Sequence, residues 1–352
     1  MFRLFLLCSL LLLTACQEQS KPKTTLKKVI PYQKIKGITM GVVAYQMTYQ
    51  DSANSVPQTT IDSLLAAFNQ GNSHYEPTST ISRFNQSENG ITVEQSGVEQ
   101  HFIKNVLLAQ TIVAQTNGYF DPTVAPLMNY YGFRKKKLEG VPTIDTAKIM
   151  DIMATIGFDK IKIEKEGNQC TIQKINPATQ LDFSAIAKGY ALDEVGYFFE
   201  KQGIENYWID IGGESRTRGK SPSGRWWRIG IQDPRGPRNT PIAVANMKNL
   251  SMATSGNYES FRIVDGKKIG HTMNPKTGFP ELNNLLSATA FAKDCSIADS
   301  YATAFMTMGM EKAFNLAQKL PEIEAYLVYF DENGSVQTKY TAGLAGVIDN
   351  LQ

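Results

Sequence analysis

The sequence has neither a GxGxxG loop nor a Walker A motif, so the two commonest phosphate-binding devices are absent and any nucleotide must be held another way. Neither charge dominates. Lys and Arg number 36 against 33 Asp and Glu, the net charge is +3, and the basic residues are scattered rather than gathered into a stripe, which argues against a nucleic-acid partner. Cysteine and histidine are scarce, at 4 and 3 residues, and the cysteines show no spacing signal. The apolar run Leu4 to Leu13 is too short to span a bilayer comfortably. Beyond residue 30 there is no internal repeat, heptad or low-complexity block.

The chain opens with one early charge, Arg3, followed by that apolar run and Leu13-Thr14-Ala15-Cys16. Residues 1–15 read as a signal peptide, and small residues directly before Cys16 resemble a bacterial lipobox, whose cysteine is lipidated, with palmitate among its acyl chains, and becomes the new N-terminus. An ordinary secretory signal with a chance cysteine is the alternative. Residues 16–30 are rich in Gln, Lys, Ser and Thr and read as a flexible tether. Acyl chains on Cys16 would hold a soluble body at a membrane, facing the periplasm or another extracytoplasmic space. With Cys8 in the signal and Cys16 at the anchor, Cys170 and Cys295 remain; two buried free thiols are expected, a single disulfide being the alternative.

Residues 31–352 carry enough apolar sequence for one large body. Strands are expected at Ile38 to Tyr49, Lys160 to Gln173, Asn206 to Ile211, Trp226 to Gln232, Leu286 to Ala292 and Ala325 to Phe330. Helices are expected at about Thr60 to Asn69, Gly97 to Thr116, Thr146 to Ile156, Ala185 to Gln202 and Ser296 to Lys319. The two types do not alternate regularly, which favours α+β. Gly and Pro concentrate in Gly212 to Gly224, Asp233 to Pro237 and Asn274 to Pro280, which read as loops.

Three units carry candidate chemistry. Asp299 and Thr303 stand four apart on a predicted helix, so their oxygens face one way, as a Mg²⁺ site with few protein ligands would need; alone, such a pair is more often a cap and a solvated face. In Leu181 to Asp193 an extended segment runs into a helix whose first turn offers free backbone groups and Lys188 to phosphate oxygens, or simply leaves Lys188 exposed. Gly189 inside that helix is unfavourable by about 1 kcal/mol relative to alanine, which calls for a close approach to the backbone. His271 sits at the edge of the turn Asn274-Pro275-Lys276-Thr277-Gly278, where Gly278 can take a positive φ; a structural histidine and a general base both fit.

Together with Thr39-Met40-Gly41, Ser79 to Asn85, Gly118 to Leu127, Asp210 to Glu214, Ala253 to Glu259 and Ala298 to Thr303, these segments resemble the ApbE family of FAD:protein FMN transferases, in the family's order and over nearly the whole body. The resemblance implies an α+β body of the T-fold-like ApbE type, with mixed or antiparallel sheets, packed helices and a pocket between the sheet and the helix of Asp299. It implies Mg²⁺ held by the Ala185 backbone oxygen, Asp299 and Thr303, and flavin contacts from Met40, Tyr75, Tyr119, Phe120, Asp121, Asp182, Lys188 and Thr272. It implies that His271 takes the proton of an acceptor threonine or serine as that hydroxyl attacks the flavin-side phosphorus of FAD, AMP leaving, with His271 and Asp299 as the catalytic pair. The implied acceptor is a flavoprotein subunit of a membrane redox complex, of the Na⁺-translocating NADH:quinone reductase or Rnf type. Water in place of the hydroxyl would make an FAD pyrophosphatase, and the pocket without turnover an FAD-binding lipoprotein. The chain departs from the family's usual pattern at Val42, at Ser184-Ala185 and at Asn274-Pro275-Lys276, where Asn274 removes a negative charge.

Overall fold

The computed structural model describes residues 30–51, 56–134, 144–237, 239–256, 261–264, 267–281 and 283–351, without the side chains of 261–269. In chain order the elements are β1 (Tyr32–Thr39), β2 (Val43–Gln50), α1 (Gln58–Asn72), α2 (Thr80–Gln86), β3 (Gly90–Glu94), α3 (Glu99–Gln115), α4 (Ala125–Tyr130), α5 (Thr146–Met153), β4 (Ile161–Glu166) and β5 (Gln169–Lys174). They continue with α6 (Ala187–Lys201), β6 (Tyr207–Ile211), β7 (Glu214–Arg218), β8 (Trp227–Gln232), β9 (Pro241–Met247), β10 (Ser251–Gly256), β11 (Phe261–Val264), β12 (Lys267–Gly270), β13 (Leu285–Ala292), α7 (Cys295–Met308), α8 (Met310–Ala317), β14 (Glu324–Phe330), β15 (Val336–Tyr340) and β16 (Ile348–Asn350).

The main sheet has eight strands in the order β1-β2-β6-β7-β10-β13-β14-β15, every neighbouring pair antiparallel. Its two faces are read directly from the two-residue period of its central strands. Ala253, Ala288, Ala290, Ala325 and Leu327 point into the larger core, which helices α1, α3, α6 and α7 complete. The alternate residues Met252, Phe291, Tyr326 and Val328 pack on the opposite face against Trp227, Ile231, Ile242 and Met247 of the small sheet β16-β9-β8. A sheet covered on both faces explains why its central strands read as near-continuous apolar runs. The small alanines let α7 lie close on the sheet; α7 is itself buried at Ala298, Ala302 and Ala304.

Four element expectations change. The segment Ile38 to Tyr49 is not one strand, because Met40 (φ 48°) and Gly41 (φ 80°) turn the chain and make it a hairpin. Lys160 to Gln173 likewise breaks at Gly167 (φ 56°) into β4 and β5. The loop expected at Gly212 to Gly224 contains β7, since Gly212 (φ 62°) and Gly213 (φ 100°) form a two-residue hairpin turn. Gly309 (φ 75°) divides Ser296 to Lys319 into α7 and α8. Cys170 and Cys295 are buried and free, as expected. Among the described residues no helix is long and apolar enough to cross a membrane.

Candidate active site

Helices α6 and α7 approach so closely that α6 needs the glycine in its first turn: a Cβ on Gly189 would stand 2.3 Å from the Cys295 carbonyl oxygen and 2.8 Å from Asp299 Cβ. That approach brings the Gly189 N–H to Asp299 Oδ2 at 3.0 Å. Asp299 is therefore no solvated surface residue. It is 3% exposed and faces, with Thr303, a cavity of about 290 Å³ whose walls come from α7, β10, the entry to α6 and two loops. Ala185 and Lys188 line the same cavity, and Ser255 of β10 adds a hydroxyl 3.1 Å from Thr303 Oγ1.

The charges here form a chain. Lys188 Nζ donates to Glu214 Oε1 at 2.5 Å, while Glu214 Oε2 is buried without a hydrogen bond. Burial pushes the Glu214 carboxyl up to about 7, opposed by Lys188 and reinforced by Asp299. Burial likewise raises the Asp299 pKa against the pull of Lys188 and the Gly189 amide. For Lys188, burial favours the neutral amine, but Glu214 and Asp299 outweigh it and hold the ammonium charged. Two carboxyls share one lysine in a largely buried site, an arrangement that gains from any further cation.

The opposite wall is the segment Tyr119 to Pro122. Tyr119, Phe120 and Asp121 all line the cavity, but Asp121 is committed to the fold. Its Oδ1 accepts from the Thr123 amide (2.8 Å) and hydroxyl (2.6 Å), and its Oδ2 from the Phe158 amide (3.1 Å). Burial raises its pKa, and those bonds oppose the rise.

His271 and Thr272 reach the cavity from a turn that is tied down at several points. Asn274 accepts through its backbone oxygen from Gly278 N (2.9 Å) and through Oδ1 from Lys276 N (2.9 Å), and its Nδ2 donates to Glu281 Oε2 (2.7 Å). An aspartate at 274 would meet Glu281 with like charge. Gly278 takes the positive φ its sequence position suggested, 77°, and is seated against Ile149 and Met153, with the Tyr131 hydroxyl on its carbonyl. A separate apolar cluster of α4, α5 and this turn, including Leu127, Tyr131, Ile149 and Met273, holds the His271 loop in place.

Asp182 borders two depressions. It lines the main cavity, and it pairs with Arg134 Nε (3.3 Å) and His74 Nδ1 (3.9 Å), which line a neighbouring groove together with Tyr75. Burial works against its ionisation, yet His74, Arg134 and the Ser184 amide hold the carboxyl below its usual range. His74 is itself pushed toward its neutral form by burial, so Arg134 is the standing countercharge.

Ten residues expected in the site thus meet in one cavity: Ala185, Lys188, Asp182, Asp299, Thr303, His271, Thr272 and the Tyr119-Phe120-Asp121 segment. Two do not line it. Tyr75 is 62% exposed in the adjoining groove, and Met40 is half-buried against the main core at the β1–β2 turn. Cys16, the tether and residues 257–259 lie outside the described residues. Sequence reasoning missed Ser255, Thr307, His74 and Arg134, which line the two depressions, and Glu214, which holds Lys188; only Glu214 had a local signal, the Gly-Gly turn that aims it. Among the described residues no three His, Cys, Asp or Glu side chains gather as a metal cluster. The oxygen set of one carboxylate, hydroxyls and a main-chain carbonyl still suits Mg²⁺, which accepts few protein ligands, and Glu214, whose buried Oε2 has no hydrogen bond, lies within electrostatic reach of Asp299.

The ApbE family model matches residues 37–327. The FAD:protein FMN transferase of Haemophilus influenzae is 32% identical over 337 residues, 94% of this chain and 93% of that protein. The Vibrio cholerae enzyme of the same name is 34% identical, covering 89% of each chain. The solved flavin transferase ApbE from Vibrio cholerae superposes with a TM-score of 0.78 at 31% identity, over 90% of this chain and 100% of that one. The apo flavinyl transferase ApbE of Pseudomonas stutzeri gives 0.78 at 27% identity, over 90% and 97%. With the family match spanning most of the body, relatives above 30% identical over about nine-tenths of the chain and the same fold in the solved flavin transferase, the chain belongs to the ApbE family.

Proposed function

We propose that this protein transfers FMN from FAD to a threonine or serine hydroxyl of an acceptor protein and releases AMP; its relatives are named FAD:protein FMN transferase, which supports the donor and the transferred group. The observation that carries the reading is the closure of Lys188, Asp299, Thr303 and His271 around one cavity. Asp299, Thr303 and the main-chain oxygen of Ala185 would hold Mg²⁺, which when bound neutralises pyrophosphate charge. Lys188, kept charged by Glu214 and Asp299, adds a fixed positive group for phosphate oxygens. The acceptor hydroxyl oxygen bonds to the flavin-side phosphorus, the bond from that phosphorus to the AMP oxygen breaks, and the hydroxyl proton passes to His271. Tyr119, Phe120, Asp182 and Thr272 contact the dinucleotide; Asp121 shapes the wall through its own hydrogen bonds, Tyr75 serves from the adjoining groove and Met40 from the β1–β2 turn.

The acceptor is a flavoprotein subunit of a membrane redox complex, and lipid on Cys16 holds the enzyme at a membrane on the extracytoplasmic side. Cys16→Ala should shift the protein from the membrane to the soluble fraction, or leave it unprocessed; unchanged cleavage and fractionation remove the anchor. For the reaction, the purified protein is incubated with FAD, Mg²⁺ and a threonine-containing acceptor peptide. AMP together with FMN-modified peptide supports transfer. AMP and free FMN without modified peptide point to hydrolysis, and FAD binding without AMP to a carrier.

A further inference from the structure

Helix α7 carries both side chains proposed for the metal, and its start is fixed from outside. Asp294 occupies the N-cap position with extended backbone, yet its side chain makes no capping bond. Its Oδ1 instead accepts from the Tyr197 hydroxyl (2.7 Å) and from Arg216 Nη1 (3.0 Å). The cap comes from α6: Asp193 Oδ1 accepts from Cys295 N and Asp193 Oδ2 from Ser296 N, both at 2.8 Å. Asp193 is 2% exposed, and a lone carboxylate there would be strongly disfavoured. Arg216 supplies the countercharge, its guanidinium bonded to Asp193, Asp294, Glu200 and the Tyr207 hydroxyl and lying over the Tyr197 ring. Gly196 leaves it room, since a Cβ there would meet Arg216 Nε at 2.4 Å.

We infer that Asp193, balanced by Arg216, is a positioning residue for the metal site: it caps α7 from α6 and so sets where Asp299 and Thr303 stand relative to Lys188 and Ala185. The inference rests on the proposed Mg²⁺ site. Two ties join the helices, Asp193 to the first turn of α7 and Gly189 N–H to Asp299 one turn later, and two points fix both the rotation and the slide of one helix against the other. Asparagine at 193 keeps the size but offers one acceptor where two amides need one each, and turns its NH₂ toward an amide or toward Arg216.

The test measures Mg²⁺ binding to the full-length protein by titration calorimetry without FAD, beside amide exchange at Cys295 and Ser296. Asp193→Asn should weaken Mg²⁺ binding about tenfold, the worth of a lost cap, and speed exchange at both amides while far-UV dichroism is unchanged. Asp294→Asn, which spares the cap, should stay within about twofold of wild type by the same reasoning. Wild-type Mg²⁺ affinity in Asp193→Asn overturns the inference, because a role in stability alone lowers the unfolding midpoint and leaves the folded protein's affinity untouched. If Asp193→Asn does not fold, the wild type decides: coupling is reciprocal, so Mg²⁺ must slow exchange at Cys295 and Ser296, and equal rates with and without metal refute it. A wild type that binds no Mg²⁺ overturns the metal reading and this inference with it.

Discussion

Gly189→Ala is the sharpest test of how the site is assembled, because two physical effects give opposite signs. Helix propensity alone makes alanine better than glycine in the first turn of α6, by at most the helix-interior value of about 1 kcal/mol. Against it, the new methyl would meet the Cys295 carbonyl at 2.3 Å and Asp299 Cβ at 2.8 Å, neither of which is the far end of a flexible side chain. Overpacking of this kind destabilises by about 1–3 kcal/mol. Separating the helices also breaks the Gly189 N–H bond to Asp299, and a hydrogen bond to a charged group contributes about 1.5–3 kcal/mol. The net expectation is a loss of roughly 1.5–5 kcal/mol. Urea unfolding followed by circular dichroism, without Mg²⁺, reads it as a lower midpoint at unchanged slope. AMP release should fall further than stability accounts for, since Asp299 moves away from Lys188. A variant as stable as wild type, or more so, would mean that α6 and α7 are not in backbone contact and would refute the reasoning.

His271→Asn should keep FAD affinity while FMN transfer drops by roughly 10²–10⁴-fold, the worth of a positioned base; transfer lost only in proportion to binding would make His271 a binding residue. Asp299→Ala removes the carboxylate among the proposed metal donors, so turnover should fall by orders of magnitude with little rescue by excess Mg²⁺, and an EDTA-resistant wild type would contradict the assignment. Lys174, whose amine donates to the carbonyls of Asn85, Ser87 and Pro177, is pushed down to about 8 by burial. The unfolded chain keeps that proton to higher pH than the folded one, so stability should rise relative to Lys174→Met between about pH 8 and the ordinary lysine range; urea midpoints of the two proteins that run parallel across that window would contradict it.

Much of the site could be read along the chain because its parts are local signals. Asp299 and Thr303 share a helix face by their spacing, the Asn-Pro-Lys-Thr-Gly turn displays His271, and the misplaced glycine at 189 announces a close approach whose partner the sequence does not name. The antiparallel α+β body and the two buried thiols were legible in the same way, from strand periodicity and composition. Tertiary structure decided what pairs across long separations. Glu214 becomes the partner of Lys188 only when a Gly-Gly turn folds β7 back beneath α6, and Ser255 joins Thr303 only because β10 and α7 are neighbours. Asp121 lines the cavity and is also held by Thr123 and Phe158, and Asp193, which reads as one more polar residue on a helix, caps a helix a hundred positions away. A short-range pattern specifies a side chain's direction, but the partner of a buried charge is set by which elements the core brings together, and that is a property of the whole chain.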